Sequence, residues 1–231
     1  MRAILLAAGF GTRLRPITNK VPKCLLLIKG RPLLEVLLKQ LKECQVGPFL
    51  VNTHYLSKQI EKFIKNSNFN TEVELVYEPK LLGTAGTLME NLDFFKDDDG
   101  MIMHADNYCL ADFKAFVEAH NHRPLGCLMT MMTFTTSEPH SCGIVELDDQ
   151  GVVTGFYEKV KNPPGNIANG AIYILSRELI TILKTDFKDC KDFSKQILPK
   201  MLGKIFTYET KDFFIDIGTE TNYKKANEHC S

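Results

Sequence analysis

The first 120 residues alternate short apolar runs with amphipathic stretches, and this alternation is the feature that most limits the fold. The apolar runs, typical of buried strands, stand at 3–8, 49–52, 73–77 and 101–104. The stretches with helical spacing stand at 33–41, 57–64, 84–95 and 111–120, and Ser57 is expected to cap the second of them. Strands that alternate with helices usually form a parallel sheet covered by helices. The sequence therefore predicts an α/β fold with a doubly wound, mostly parallel sheet.

The pattern changes after about residue 125, where turns rather than long helices separate the apolar runs. These runs, read as strands, are 127–134, 143–147, 152–158 and 171–175, and the turn 148–151 is typical of a hairpin. Helices are expected at 178–184 and 193–202, strands at 205–208 and 213–215, and a last helix near Thr219. We therefore expect a small antiparallel part built onto the parallel half. With no linker or repeat, 1–231 is predicted to be one domain with halves of about 1–125 and 126–231.

Composition limits the partners and the compartment. The 28 basic residues balance 28 acidic ones, so net charge gives no indication of a nucleic acid or an anionic membrane as partner. The apolar N-terminal run ends at Gly9, which is too early to span a bilayer, and no cleavage-site pattern follows it. The 7 cysteines form no C-x-x-C pair and are odd in number. These features fit reduced thiols, and we predict a cytoplasmic protein with no nucleic-acid or membrane partner.

A loop rich in glycine and arginine follows the first strand directly. It reads Gly9-Phe10-Gly11-Thr12-Arg13-Leu14-Arg15-Pro16, and Pro22-Lys23 adds a further cation. Glycines let backbone N–H groups approach phosphate oxygens, while the hydroxyl and the guanidinium groups add donors. The loop is not a Walker A motif, and Leu14 stands where a dinucleotide fingerprint needs glycine. A polyanion cradle is the functional interpretation, and a strand-to-helix turn with solvated arginines is the alternative.

Two aspartates follow apolar strands at distant points of the sequence. Asp106 comes after 101–104, and Asp216 comes after 213–215. Carboxylates at strand ends can converge on one hard cation, and Mg²⁺ is usually held by one or two carboxylates with phosphate and water oxygens. For either aspartate alone, a role in a cap or turn is the alternative. By contrast, 97–99 is expected to be a solvated turn, and His120 and His122 are expected to lie on the surface.

The glycine-rich loop resembles the signature of the sugar-1-phosphate nucleotidylyltransferase family, and the resemblance covers nearly the whole chain. It includes Leu6-Ala7-Ala8 before the loop, Gly83-Thr84-Ala85-Gly86, His104-Ala105-Asp106-Asn107, Glu158-Lys159, Asn169-Gly170 and Asp216-Ile217-Gly218-Thr219. It implies a Rossmann-like nucleotidyltransferase sheet with a nucleotide-binding half and a sugar-phosphate-binding half. Some members carry a C-terminal β-helix domain, for which this chain is expected to be too short. Members catalyse attack of a sugar 1-phosphate on the α-phosphorus of a nucleoside triphosphate.

The resemblance also implies roles for particular residues. The catalytic residues would be Arg13, Lys23, Asp106 and Asp216, of which the two aspartates would hold Mg²⁺. Nucleotide-binding residues would be Leu6, Ala8, Gly9, Gly11, Thr12, Arg13, Lys23, Glu78, Gly83 and Thr84. Sugar-phosphate-binding residues would be Asn107, Gly143, Glu158, Lys159 and Asn169. Without the resemblance, Glu158-Lys159 reads as a surface ion pair, and Gly143 and Asn169 read as ordinary turn residues.

The choice of nucleotide depends on Glu78 in this interpretation. Thymidylyl-type relatives commonly have glutamine at the matching position, and its donor and acceptor complement thymine or uracil. Ionised glutamate only accepts hydrogen bonds, which suits the N1–H and amino group of guanine. Leu82-Gly83-Thr84-Ala85-Gly86 also resembles mannose-1-phosphate guanylyltransferases. We therefore favour GTP with a mannose- or heptose-like 1-phosphate, with UTP or dTTP and a hexose 1-phosphate as the alternative. In the remaining interpretation, Glu78 is a solvated acid at a strand end.

Two rival functions come from other classes of protein. A metal-dependent glycosyltransferase would have its D-x-D motif where this chain has His104-Ala105-Asp106, and the first acid is missing. A non-catalytic nucleotide-sugar binding module would be favoured by loss of the catalytic residues, none of which is lost. The expected partners are a nucleoside triphosphate and a sugar 1-phosphate, and a homo-oligomer stays open.

Overall fold

The computed structural model describes residues 1–229, and these form two compact units. The first unit contains 1–81, 103–110 and the described part of 213–231, and the second contains 82–102 and 111–212. The units interleave along the chain, so the division near residue 125 does not separate them. The single-domain organisation stays a prediction.

Parallel strands form the centre of the first unit. Strand β4 (Phe49–Thr53) lies between β1 (Arg2–Leu6) and β5 (Val73–Tyr77), and all three run parallel. Five leucines of helix α1 (Leu33–Glu43) recur at helical spacing and are buried. The other elements are β2 (Leu27–Ile28), β3 (Arg31–Pro32), α2 (Ser57–Lys65), β7 (Asn107–Cys109), β13 (Phe214–Asp216) and α6 (Glu220–Glu228). Strand β6 (Gly100–His104) contributes its last two residues to this unit.

The second unit is mainly antiparallel. Its strands are β8 (Met129–Thr135), β9 (Gly143–Leu147), β10 (Val153–Glu158), β11 (Ile167–Leu175) and β12 (Ile205–Glu209). Strand β9 lies between β10 and β11, whereas β8 pairs antiparallel with β11 and parallel with β12. The helices are α3 (Gly83–Glu90), α4 (Phe113–Asn121) and α5 (Arg177–Asp186). The hairpin predicted around residues 148–151 is confirmed by the pairing of β9 with β10.

Three local expectations were wrong. Ser57 does not cap α2, because the residue before the helix is Leu56, with a left-handed φ of 53° and no side-chain cap. The helix expected at 84–95 ends at Glu90, and a 3-10 turn covers Leu92–Phe95. The helix expected at 193–202 is a π-type turn followed by a 3-10 turn, since Pro199 has no N–H to continue the bonding.

A buried histidine corrects two further expectations. His120 is 0% exposed, and its Nε2 lies 3.2 Å from Asp99 Oδ2 while its Nδ1 lies 2.8 Å from Thr130 Oγ1. Asp99 also accepts from the Arg177 N–H at 2.7 Å, so it is more than a solvated turn residue. Burial lowers the pKa of His120 although its hydrogen bond with Asp99 opposes this, and the same bond lowers the pKa of Asp99. Only His122 is exposed as expected.

Residues 1–229 contain neither a candidate membrane span nor a disulfide. No helix in this range is long and apolar enough to cross a membrane. The cysteines in this range are free thiols, and Cys230, the last of the seven, lies outside the described residues.

Candidate active site

The loop after β1 is held in a conformation that requires glycine. Gly11 has a left-handed φ of +61°, and a Cβ added to it would lie 2.9 Å from Thr18 Cγ2. The Thr18 hydroxyl donates to the Gly11 carbonyl at 2.7 Å. A 3-10 turn over Thr12–Leu14 follows immediately. The chain is therefore fixed at the point where Arg13 leaves the loop.

A cavity of about 210 Å³ opens beside this loop within the first unit. Its lining residues are Leu6, Ala7, Gly9, Gly11, Thr12, Arg13, Lys23, Cys24, Ala105, Asp106 and Gly218. Most of the predicted nucleotide-binding residues of this unit are among them, whereas Ala8 is buried and does not line the cavity. A larger hollow of about 730 Å³ beside the end of α2 contains none of the predicted residues. The chemistry of the lining, rather than size, identifies the candidate site.

Three predicted catalytic side chains form one charge cluster at this cavity. Lys23 Nζ donates to Asp106 Oδ2 at 2.6 Å and to Asp216 Oδ1 at 2.8 Å. The Lys23 side chain is only 10% exposed, so water screens these contacts weakly. Arg13 Nη2 lies 3.4 Å from Asp216 Oδ2 and extends the cluster towards the loop. Burial opposes ionisation of Asp106, but Lys23 and His104 outweigh it and hold the pKa of Asp106 below its usual range.

A short antiparallel ladder brings the two aspartates together. Asp216, the last residue of β13, pairs in register with Asn107, which directly follows Asp106. The N–H of Ile217 donates to the Asp106 carbonyl at 3.1 Å. Asn107, predicted to bind the sugar phosphate, is buried beside this pair in the first unit. Strand pairing thus brings two carboxylates that are distant in sequence to the same Lys23 ammonium group.

Cys24, which lines the cavity, has an unreactive thiol. Cys24 is buried, and burial raises the pKa of its thiol to about 12. The thiolate is the nucleophilic form of cysteine, so this side chain stays unreactive near neutral pH.

Glu78 lies in a buried hydrogen-bond chain. It is 2% exposed, and its Oε1 accepts from Asn52 Nδ2 at 2.8 Å. The backbone carbonyl of Glu78 lies 2.7 Å from His54 Nδ1, so that ring nitrogen carries a proton. Asn52 Oδ1 in turn accepts the N–H of Ala7, at the start of the loop, at 2.7 Å. The interpretation of Glu78 as a solvated acid is therefore wrong.

Three predicted sugar-site residues lie on neighbouring strands of the second unit. Gly143 on β9 pairs with Glu158 on β10, and Asn169 lies on β11, the other neighbour of β9. A Cβ added to Gly143 would lie 2.7 Å from Glu158 Oε2, so this glycine leaves room for the carboxylate. Lys159 follows with a φ of +52°, and its Nζ lies 3.6 Å from Glu158 Oε1. The Lys159 side chain is 63% exposed and can turn towards a ligand.

Hydrogen bonds hold the side chains of two predicted residues of this unit, Asn169 and Thr84, in place. Asn169 Nδ2 donates to Tyr173 Oη at 2.7 Å, and Asn169 Oδ1 accepts from the Ala171 N–H at 2.9 Å. Thr84 Oγ1 accepts from the Phe193 N–H at 2.8 Å. Gly83 has a φ of +81°, and an added Cβ would collide with the backbone of a neighbouring loop. Gly83 and Thr84 therefore have structural roles whatever they bind.

Sequence reasoning gave no role to Asn52 or Gly218. Asn52 is a polar residue in an otherwise apolar run, and a polar residue in a central parallel strand signals a buried partner. Gly218 lies so close to the charge cluster that an added Cβ would be 2.6 Å from Arg13 Nη2 and 2.9 Å from Asp216 Oδ2. Its position two residues after Asp216 was a usable signal.

A glycine-rich loop beside paired aspartates in an α/β fold is typical of proteins that bind nucleotides, and comparison with known proteins specifies the family. The model of the family described as Nucleotidyl transferase matches residues 2–231, so the chain belongs to that family. The chain is 31% identical over 245 residues to a UTP–glucose-1-phosphate uridylyltransferase of Synechocystis, covering 98% of this chain and 62% of that protein. It is 28% identical over 229 residues to the catalytic subunit beta of a mannose-1-phosphate guanylyltransferase of Drosophila melanogaster, covering 96% and 60%. The chain thus spans about three fifths of the length of these curated relatives.

A solved structure resembles the chain over its length. HddC from Yersinia pseudotuberculosis, crystallised in complex with GMP-PN, has a TM-score of 0.81 at 28% identity and covers 98% of both chains. The α/β class with a mixed sheet, expected from the alternating pattern, is confirmed.

Proposed function

We propose that this protein transfers a nucleotidyl group from a nucleoside triphosphate to a sugar 1-phosphate and releases pyrophosphate. The observation that carries the proposal is the convergence of Lys23, Asp106 and Asp216 on the glycine-loop cavity. Such a cluster can bind a polyanion and a cation together. The names of the uridylyl- and guanylyltransferase relatives support this class of reaction.

The aspartate pair fits Mg²⁺. Both carboxylates contact a single nitrogen within 2.8 Å, so one cation can touch both. Residues 1–229 contain no group of three or more His, Cys, Asp or Glu side chains suited to a metal. Two carboxylates are sufficient when phosphate and water oxygens complete the shell, as is usual for Mg²⁺. Bound there, the ion would neutralise charge on the phosphates.

The reaction needs little from the protein besides position and charge. A sugar phosphate oxygen attacks the α-phosphorus, and the bond from that phosphorus to the β-phosphate oxygen breaks. The electron pair leaves with pyrophosphate, and no proton transfer is required because the sugar phosphate is already ionised. Arg13 and the loop amides would hold the departing pyrophosphate, and Lys23 would exchange its carboxylate partners for α-phosphate oxygens. The protonated Cys24 thiol agrees with a reaction without a covalent cysteine intermediate.

The second unit would receive the sugar phosphate. Lys159 is an exposed cation beside Glu158 and would bind the phosphate. Glu158 would accept hydrogen bonds from sugar hydroxyls, and Asn169 would form a hydrogen bond with another hydroxyl. Gly143 would act indirectly, because its missing side chain leaves room for Glu158. Gly83 and Thr84 would bind the nucleotide, and Asn107 would bind the sugar phosphate.

GTP with a mannose- or heptose-like 1-phosphate is the favoured substrate pair. The HddC complex with GMP-PN and the named guanylyltransferase relative both support a guanine nucleotide. Glu78, which offers only acceptors when ionised, agrees with guanine. The Synechocystis uridylyltransferase supports UTP with a hexose 1-phosphate as the second candidate.

One screen tests the function. Purified protein is incubated with GTP, UTP, dTTP, ATP or CTP and with mannose, heptose or glucose 1-phosphates, and pyrophosphate release is measured with Mg²⁺ and with EDTA. We expect Mg²⁺-dependent release that requires both substrates. A parallel incubation supplies a nucleotide sugar with and without pyrophosphate, and hydrolysis of the nucleotide sugar that needs no pyrophosphate would instead identify a glycosyltransferase. A preference for a pyrimidine triphosphate would refute only the guanylyl assignment.

A further inference from the structure

Lys23 holds the position between the two aspartates that the proposed Mg²⁺ would need. Its Nζ lies 2.6 Å from Asp106 Oδ2 and 2.8 Å from Asp216 Oδ1. Magnesium binds oxygen ligands at about 2.0–2.1 Å. An ion on the same two oxygens would therefore lie against the ammonium group. Lys23 and Mg²⁺ are competitors for one carboxylate pair as long as the lysine side chain keeps this position.

The formal charges of the cluster cancel. Asp106 and Asp216 are two acids, and they face two cations, Lys23 and the Arg13 guanidinium, which lies 3.4 Å from Asp216. The Lys23 side chain is only 10% exposed, so water screens its charge weakly. A neutral cluster attracts a divalent cation little, and the adjacent ammonium group repels it. All four residues belong to the first unit.

A triphosphate offers both cations of the cluster another partner. Lys23 and Arg13 line the glycine-loop cavity, where the triphosphate would bind. A lysine side chain is a flexible four-carbon stem with three rotatable donors, so its ammonium group can turn from carboxylates to phosphate oxygens. Once it has turned, the two carboxylates can supply oxygens to Mg²⁺, and the phosphates and water can complete the shell.

We propose that Lys23 is an internal counter-ion that keeps Mg²⁺ off the aspartate pair until a triphosphate draws its ammonium group away. The inference rests on the proposed function, in which the aspartates hold the metal and the loop holds the triphosphate. The protein without nucleotide then binds the metal weakly. Metal and triphosphate strengthen each other's binding by the same factor, as linkage requires.

Removal of the ammonium group tests this competition. Lys23→Met keeps most of the side-chain length and removes the charge. Mn²⁺ prefers the same kinds of oxygen ligand as Mg²⁺, and its electron paramagnetic resonance signal reports the free ion, so it serves as the probe. In the protein without nucleotide, we expect Lys23→Met to bind Mn²⁺ at least about tenfold more tightly than wild type. A lysine that only stabilised the fold would instead give a lower Tm and no gain in metal affinity.

Three further variants identify the source of the gain. Lys23→Arg keeps the charge and should stay within about threefold of the wild-type Mn²⁺ affinity. Lys65→Met removes the same charge from an exposed position at the end of α2 and should leave the affinity unchanged. The double variant K23M/D216N lacks one carboxylate of the pair and should lose the gain. Thermal melting shows whether each variant is folded, and Lys23→Gln replaces Lys23→Met if that variant is not.

The nucleotide should act on the wild-type protein as removal of the ammonium group does. Without nucleotide, Asp216→Asn should change the Mn²⁺ affinity by less than about threefold, because Lys23 already occupies the pair. With saturating GTP and no sugar phosphate, the same substitution should lower the Mn²⁺ affinity at least about tenfold. UTP takes the place of GTP if calorimetry shows that the protein binds only UTP.

Each outcome decides the inference. An unchanged Mn²⁺ affinity in a folded protein without the Lys23 ammonium group overturns it. An equal gain in Lys23→Arg or Lys65→Met also overturns it, because the gain would not come from the charge at this point. A gain that persists in K23M/D216N would place the metal elsewhere, and an equal effect of Asp216→Asn with and without nucleotide would remove the role of the triphosphate. Wild-type protein that releases no pyrophosphate with any substrate pair refutes the proposed function, while the metal affinities still decide the role of Lys23.

Discussion

Asp216→Asn separates catalysis from stability at the charge cluster. Asparagine keeps the shape and one oxygen but removes the charge that faces Lys23 and Arg13. Lys23 retains Asp106 at 2.6 Å, so no buried cation loses its last partner. The Asp216 side chain is 44% exposed and its contacts are partly screened. We therefore expect the free energy of unfolding to fall by about 1 kcal/mol or less, a shift in Tm of about 2–4 °C at most.

The effect on turnover should be much larger. A hydrogen bond to a charged group contributes about 1.5–3 kcal/mol, or roughly ten- to 150-fold. Asp216 would in addition supply one of only two protein ligands to Mg²⁺. We therefore expect kcat/KM to fall by at least about a hundredfold, measured by pyrophosphate release at saturating Mg²⁺.

Asp149→Asn is the matched control, since Asp149 is an exposed acid in the hairpin turn. It should leave both Tm and kcat/KM unchanged. Near-normal turnover in Asp216→Asn would refute the assignment of the metal site. A loss of Tm well beyond 4 °C would show instead that the aspartate is needed mainly for folding.

Further predictions concern other parts of the molecule. Gly11→Ala should cost about 1–2 kcal/mol of unfolding free energy in a urea titration, because alanine at a left-handed φ is strained; an unchanged midpoint would contradict this. Burial lowers the pKa of His120 below about 6.5, so the neutral ring contributes stability that is present above pH 6.5 and is lost as pH falls towards the folded-state pKa. The urea midpoint of wild type should fall over that range, His120→Gln should flatten this part of the profile, and the exposed His122→Gln should not. Lys159→Ala should raise KM for the sugar phosphate about ten- to a hundredfold and leave KM for the triphosphate unchanged. The exposed Lys161→Ala is its control, and equal effects in both variants would argue against a specific phosphate contact.

The alternation of strands and helices, the glycine-rich loop and the two aspartates could be predicted from the sequence, because each depends on residues that are close together in the chain. The spacing of apolar residues indicates which face of a strand or helix is buried. Backbone sterics favour glycine where the chain needs a left-handed φ. The pairing of strands that are distant in sequence produces no such local pattern. The burial of His120 and the bond between Asn52 and Glu78 depend on which strands become neighbours. The expectation for Ser57 was wrong for a local reason. Ser57 is the first residue inside α2, and the N-cap position before it is taken by Leu56 in a left-handed conformation.

The interleaving of the two units along the chain affects when the first unit can be completed during synthesis. The first unit contains residues 1–81, 103–110 and residues from 213 onward, so a ribosome must have synthesised all of 1–212 before that unit can be completed. At elongation rates of about 5 to 20 residues per second, roughly 5 to 22 s separate the synthesis of Asp106 from that of Asp216. During that time Lys23 and Asp106 exist without their third member. A nascent chain arrested before β13 would therefore contain the glycine-rich loop but lack one of the two acids proposed to hold the metal.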